Sequence, residues 1–169
     1  MEAMPADTVH DNEYFLLWTL IAQTRDAILR AREKDYLRFG ISNERRAILF
    51  TIYDCGGKCT PTKIAQRLFR EIQSVSEMLV RMEKDGLITR KRTNGPNKIE
   101  VKMTEKGRDV FDQSLHSKTD ERILSVLEES ERSALSALLL RVRKRALEEL
   151  GSLAWELDFP NRARADADQ

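Results

Sequence analysis

The chain is short of the residues that staple, ligate or span. Its 169 residues include 2 cysteines, which excludes a disulfide scaffold. The 2 histidines, His10 and His116, are far apart in sequence, so no clustered set of metal ligands stands out. There is no Ser-His-Asp arrangement and no phosphate-cradling glycine loop, so nothing points to an enzyme. Aromatics make up only 7 % of the chain and charged residues 34 %, as suits a soluble, helix-rich protein with long charged faces. Long apolar runs are missing too. The stretch Tyr14 to Ala22 is short, is broken by Thr19, and is preceded by no Lys or Arg. That argues against a signal peptide and a membrane span, and the expected location is the cytoplasm. No internal repeat or low-complexity block occurs.

What is present is mainly helical periodicity. Residues 10–39 contain no Gly or Pro, and Tyr14, Leu17, Trp18, Ile21, Ile28 and Leu29 recur at helical spacing, predicting one long helix ended by Gly40. Ser42 can cap a second helix reaching about Asp54, and Gly56-Gly57 forces a turn. Thr60-Pro61 is a strong helix start, because the hydroxyl accepts from an orphan N–H and proline has none to orphan. That helix is expected to end near Arg70. The next is expected to begin near Gln73 or Ser74, to face Val75, Leu79 and Met82 inward, and to stop at Gly86. Leu87–Arg92 and Lys98–Met103 alternate as paired strands around Asn94-Gly95-Pro96-Asn97. Thr104 can cap a helix expected to run to about Leu127, with Val110, Phe111, Leu115, Ile123 and Val126 as candidate buried positions. A last long helix is expected from Ser130, with a stripe of Leu135, Leu138, Leu139, Val142 and Leu150. The polar tail after Leu157 reads as disordered.

The order of these elements in residues 60–107 is that of a winged helix-turn-helix. The charge agrees with it. The chain carries a net +1, but residues 58–108 hold 13 Lys plus Arg against 6 Asp plus Glu, a local surplus of 7 on an otherwise acidic chain. Such a surplus is the electrostatic footprint of phosphate contact. The helix beginning near Gln73 is the expected recognition helix. Its outward residues Gln73, Ser74, Ser76, Glu77 and Arg81 can meet base edges or phosphates. Thr60 and Thr62 at the start of the preceding helix belong to the same expected set. So do Arg90, Arg92 and Lys98 of the basic hairpin, which carries Lys91 as well.

Two stretches make the pattern more specific. They are Leu79-Val80-Arg81-Met82-Glu83-Lys84-Asp85-Gly86-Leu87-Ile88-Thr89-Arg90 and Met103-Thr104-Glu105-Lys106-Gly107. With helices on both sides, they resemble the MarR family of winged helix-turn-helix regulators over nearly the whole chain. The resemblance implies a mainly α fold with a small β-wing. Residues 10–39 would form an N-terminal dimerisation helix, 42–103 the DNA-binding region and 104–157 the C-terminal dimerisation helices, followed by a 158–169 tail. It implies a homodimer on a pseudo-palindromic double-stranded operator, often released by a small-molecule or oxidant signal. No cofactor is expected. The family's usual Asp and Arg in the wing turn are absent here, and Lys98 is the nearest substitute for the Arg.

An effector pocket would lie between the dimer helices and the winged helix. Trp18, Tyr36, Phe39 and Tyr53 are candidate lining residues, with Arg25, Arg32 or Arg46 meeting an anion. Cys55 and Cys59 have C-x₃-C spacing with Lys58 between them, so a redox-responsive regulator is one alternative. Oxidant-sensing relatives generally place the reactive cysteine in the first helix region, where this chain has none. A winged-helix protein-interaction module without specific DNA binding is the other alternative.

Overall fold

A computed structural model describes residues 12–93 and 99–151. Helix α1, Glu13–Tyr36, opens on Asn12, whose side chain accepts from the Tyr14 and Phe15 N–H groups. A 3-10 turn, Leu37–Phe39, separates α1 from Gly40, which has φ 71°. Helix α2, Asn43–Asp54, is capped by Ser42. Strand β1, Lys58–Cys59, leads to α3, Pro61–Leu68, where Thr60 caps the Lys63 N–H and Pro61 sits in the first turn. Helix α4, Ile72–Lys84, follows a tight turn. Strands β2, Ile88–Arg92, and β3, Ile99–Met103, pair antiparallel from Ile88 opposite Met103 to Arg92 opposite Ile99. β1 adds to the other edge of β3, giving the order β1-β3-β2. The chain closes with α5, Glu105–Ser114, α6, Thr119–Leu124, and α7, Glu129–Glu149.

The core is one cluster under the winged helix. It joins Tyr36, Ile48, Leu49 and Ile52 to Ile64, Val75, Leu79, Met82, Ile88, Val101 and Phe111. α4 faces Val75, Leu79 and Met82 inward, as its spacing predicts.

Residues 104–107 set the junction between the winged helix and the C-terminal helices. The Thr104 hydroxyl donates to the Gly86 carbonyl at 2.6 Å and accepts from the Gly107 N–H at 3.0 Å. It therefore caps α5 and holds the end of the recognition-helix segment together. Gly107 is buried against the Leu87 backbone. A Cβ placed there would overlap the Leu87 carbonyl oxygen and lie 2.9 Å from its carbon.

Two expectations are corrected. The helix predicted from Glu105 to about Leu127 is two helices, broken at residues 115–118. No Gly or Pro marks the break. Asp35, at the end of α1, accepts from Ser117 Oγ at 2.6 Å and Thr119 Oγ1 at 2.7 Å, and so draws the turn in. These hydroxyl bonds, Ser117 first, hold the Asp35 carboxyl below its ordinary range. Leu115 and Val126, expected inside, are exposed at 56 % and 81 %. The last helix begins one residue before Ser130, behind a capping box between Glu128 and Glu131. The expected start at His10, the turn residues Asn94–Asn97, Lys98 and the tail lie outside the described residues.

Two helical faces stay exposed among the described residues. α7 buries no residue, and Leu135, Leu138, Leu139 and Val142 are 40–55 % exposed. On α1, Tyr14, Leu17, Trp18 and Leu20 are 55–77 % exposed.

Gly107→Ala is expected to lower the unfolding free energy by about 1–3 kcal/mol or more, because backbone rather than a flexible side chain must yield. A urea midpoint equal to that of the parent would contradict this contact.

Candidate nucleic-acid interface

The local sequence leaves α4 open at its start. α3 ends at Leu68, and Phe69 adopts φ 51°, so the turn is tight. Glu71 precedes α4 without capping it through its side chain. The first N–H groups of α4 lack intrahelical partners and suit water or phosphate. Gln73, Ser74, Glu77 and Arg81 are exposed, on the side away from Val75, Leu79 and Met82. Ser76 is half-buried, and its hydroxyl donates to the Ile72 carbonyl at 2.7 Å. Arg81 Nε reaches the Glu77 carbonyl at 3.5 Å, lying along its own helix. Thr62 is exposed on the first turn of α3, beside the cap Thr60.

The wing is locked to α4 from the helix side. Glu83 accepts from the Arg90 backbone N–H at 2.9 Å through Oε1, and from Arg90 Nε and Nη2 at 2.9 and 2.7 Å through Oε2. Arg90, expected on DNA, is thus held by a carboxylate of the recognition helix. The Arg90 guanidinium, ahead of the Arg90 backbone N–H, keeps Glu83 below the usual carboxylate range. Arg92 and Lys91 further along β2 are exposed.

Other cations of the basic segment also meet carboxylates within the chain. Arg67 binds Asp54 and Arg70 binds Glu44, both on α2. Lys102 binds Glu100, 2.8 Å away on β3. Arg45 of α2 binds Asp85 at 2.7 Å. These pairs fix α3 and α4 on α2. Exposed cations around α4 and the hairpin include Lys63, Arg81, Lys84, Lys91 and Arg92.

The expected effector residues divide into separate places. Tyr36 is buried, with Arg32 Nη2 donating to its hydroxyl at 2.9 Å. The Arg46 guanidinium carbon lies 4.7 Å from the centre of the Tyr36 ring, and its Nε donates to the buried Ser114 hydroxyl at 3.1 Å. Tyr53 stacks on Phe111 at 5.5 Å and is itself 52 % exposed. Phe39 packs half-buried against the core. Trp18 lies on the uncovered part of α1. Arg25 alone of the seven lines a separate groove of about 470 Å³ between α1, α2 and the start of α4. Sequence reasoning missed the rest of that groove. Leu29, Arg30, Asn43, Arg70, Ser74 and Met78 contribute to it, yet they come from separate segments of the sequence, and only the tertiary fold assembles them. The groove touches both α1 and the recognition helix. Among the described residues no group of three or more His, Cys, Asp or Glu is placed to hold a metal, and no helix is long and apolar enough to cross a membrane.

Comparison with known proteins fits this geometry. A profile of the MarR family matches residues 41–96. The 2,4-dichlorophenol-bound structure of the organohalide-sensing RdhR transcriptional regulator is 30 % identical, with a TM-score of 0.76 over 87 % of this chain and 90 % of that one. The chain belongs to the MarR family. The ligand-free form of the same regulator is 29 % identical and aligns with a TM-score of 0.81, covering 95 % of this chain and 96 % of that one. A mutant MarR from E. coli complexed with operator DNA shares the fold, with a TM-score of 0.71 at 22 % identity over 78 % of this chain and 96 % of that one. A sequence search of curated proteins finds no match. This MarR-family chain is a transcriptional regulator and not an enzyme. Its winged helix is the expected one, a mainly helical fold with a small three-stranded sheet.

The clamp predicts a pH signature. A carboxylate whose pKa is depressed by folding contributes its full stability above the ordinary value of 4.5 and loses it as the pH falls through the folded value. Glu83→Gln should therefore be less stable than the parent at neutral pH, and the gap should narrow below 4.5. Denaturant midpoints measured stepwise downward from pH 7 check this. A gap that stays constant would mean the clamp is not ionic.

Proposed function

We propose that this MarR-family chain is a homodimeric, sequence-specific repressor, released from its operator by a small-molecule effector and acting in the cytoplasm. The observation that carries the reading is the α4 surface. A recognition helix presents Gln73, Ser74, Glu77 and Arg81 outward, is uncapped at its N-terminus, and is flanked by an exposed basic strand. Gln is suited to adenine and Arg to guanine in the major groove, and the first-turn N–H groups suit a phosphate. Thr60, Thr62 and Ser76 flank that surface as backbone contacts. Arg92 and Lys98 supply charge along the hairpin, while Arg90 orients it.

Residues 10–39 and 104–157 form the dimerisation region in this reading, around the 42–103 DNA-binding region. A second copy covers the apolar faces of α1 and α7, and two-fold symmetry sets two α4 helices about one DNA turn, ~34 Å, apart. The operator is then pseudo-palindromic. Operator DNA in the E. coli MarR complex supports this partner class, and 2,4-dichlorophenol in the RdhR regulator supports a small aromatic effector class. An effector seated between α1 and α4, or beside Tyr36, Arg46 and Tyr53, favours one placement of α4 over another. Release follows because a ligand shifts the equilibrium only by its differential affinity for the two placements.

Fluorescence anisotropy on DNA from upstream of the protein's own gene, compared with a scrambled duplex at several salt concentrations, tests the reading. Equal affinity for both duplexes would sink it in favour of a protein-interaction module. Arg81→Ala should alter base preference, whereas Arg92→Ala should weaken binding to every sequence and reduce the salt slope by about 1. Light scattering on the eluting peak should give twice the chain mass, 19.6 kDa. A monomer at micromolar concentration would overturn the dimer.

A further inference from the structure

Cys55 ends α2 and Cys59 lies in β1, with Gly56, Gly57 and Lys58 between them. Both glycines have positive φ, 75° and 85°. The turn they allow folds the chain back until Cys55 Sγ and Cys59 Sγ are 3.0 Å apart. Both sulfurs are free thiols. We propose that Cys55 and Cys59 form a reversible intrachain oxidation site, converted to a disulfide by peroxide-class oxidants, that ties the end of α2 to the edge of the wing sheet.

The two thiols are not equivalent. Cys59 is buried, with only 4 % exposure, and pairs in the sheet opposite Val101. Burial first, and then the Cys55 hydrogen bond, pushes its thiol up to about 12, so it stays protonated. Cys55 is half-buried and open to a small oxidant. Arg67, held by Asp54, contributes positive charge near both sulfurs.

The chemistry balances in two steps. The Cys55 thiol gives up its proton, the thiolate attacks one peroxide oxygen, the O–O bond breaks, and Cys55 becomes a sulfenic acid while the departing hydroxide takes up that proton and leaves as water. The Cys59 sulfur then forms the S–S bond. The Cys55 S–O bond breaks, and the hydroxyl leaves with the Cys59 proton as a second water. The cysteines give up two electrons and the peroxide is reduced. A dithiol reverses the change by exchange. Sulfur must move only about 1 Å to reach the bonded distance of ~2.05 Å. β1 hydrogen-bonds to β3, so the new bond links α2 to the wing through one strand.

The test uses the full chain treated with a few equivalents of hydrogen peroxide, then alkylated and digested with trypsin without reductant. Cleavage after Arg46, Lys58 and Lys63 separates the two cysteines onto different peptides. The expected product is peptide 47–58 joined to peptide 59–63, two hydrogens lighter than their sum, and lost on dithiothreitol treatment. Cys59→Ser should stop at a sulfenic acid on Cys55, captured by dimedone, and Cys55→Ser should leave Cys59 unoxidised. Two fully alkylated thiols after peroxide, or a link only between separate chains, would overturn the proposal. No DNA enters the assay, so its result is independent of the operator reading.

Discussion

The close approach of Gly107 to the Leu87 backbone governs the arrangement of this molecule. It fixes where α5 leaves the sheet, and Thr104 fastens the same point by binding the Gly86 carbonyl and capping α5. α4, the hairpin and the C-terminal arm meet there within a few residues. A side chain at 107 would push the arm away from the recognition helix, since the opposing atoms are backbone. The Thr104-Glu105-Lys106-Gly107 stretch, met first as a family resemblance, thus has a steric and hydrogen-bonding reason for two of its residues. Lys106 adds a third link by donating to the Asp85 carbonyl at 2.8 Å.

Charge is used for two purposes in residues 58–108. The surplus of 7 in residues 58–108 overstates what faces solvent. Arg67, Arg70, Arg90 and Lys102 all neutralise carboxylates of the same chain. Several of these pairs join separate elements, so they hold α3, α4 and the hairpin in one geometry. Exposed pairs add little stability, but their positions determine which cations remain for phosphate. The Glu83–Arg90 clamp is the clearest case. It steadies the hairpin from the helix side in a chain whose wing turn lacks the usual acidic and basic brace.

Much of the fold was legible because local chemistry and long-range packing agree. Ser42, Thr60-Pro61, Gly86 and Thr104 each act where sequence placed them, and Val75, Leu79 and Met82 lie inside at the expected spacing. The break between α5 and α6 was not legible, because its cause is Asp35, more than 80 residues away. The clamp on Arg90 was not legible, because strand position and charge do not reveal a carboxylate seven residues back on another element. The groove between α1, α2 and α4 escaped for a similar reason. Its lining comes from α1, α2, the end of α3 and α4, and none of those segments carries a local signature of a binding surface.

α1 also has a mechanical consequence. Its 24 residues make a rod of ~36 Å at the α-helical rise. One end is embedded, with Tyr36 in the core and Asp35 gripping the α5–α6 turn. The other end projects with its apolar residues uncovered. The rod is therefore a lever with its fulcrum beside the core. A tilt of about 5° at the embedded end moves the far end by ~3 Å, given that helical length. The groove bounded by Arg25, Leu29 and Ser74 lies near the fulcrum, where small displacements are magnified most.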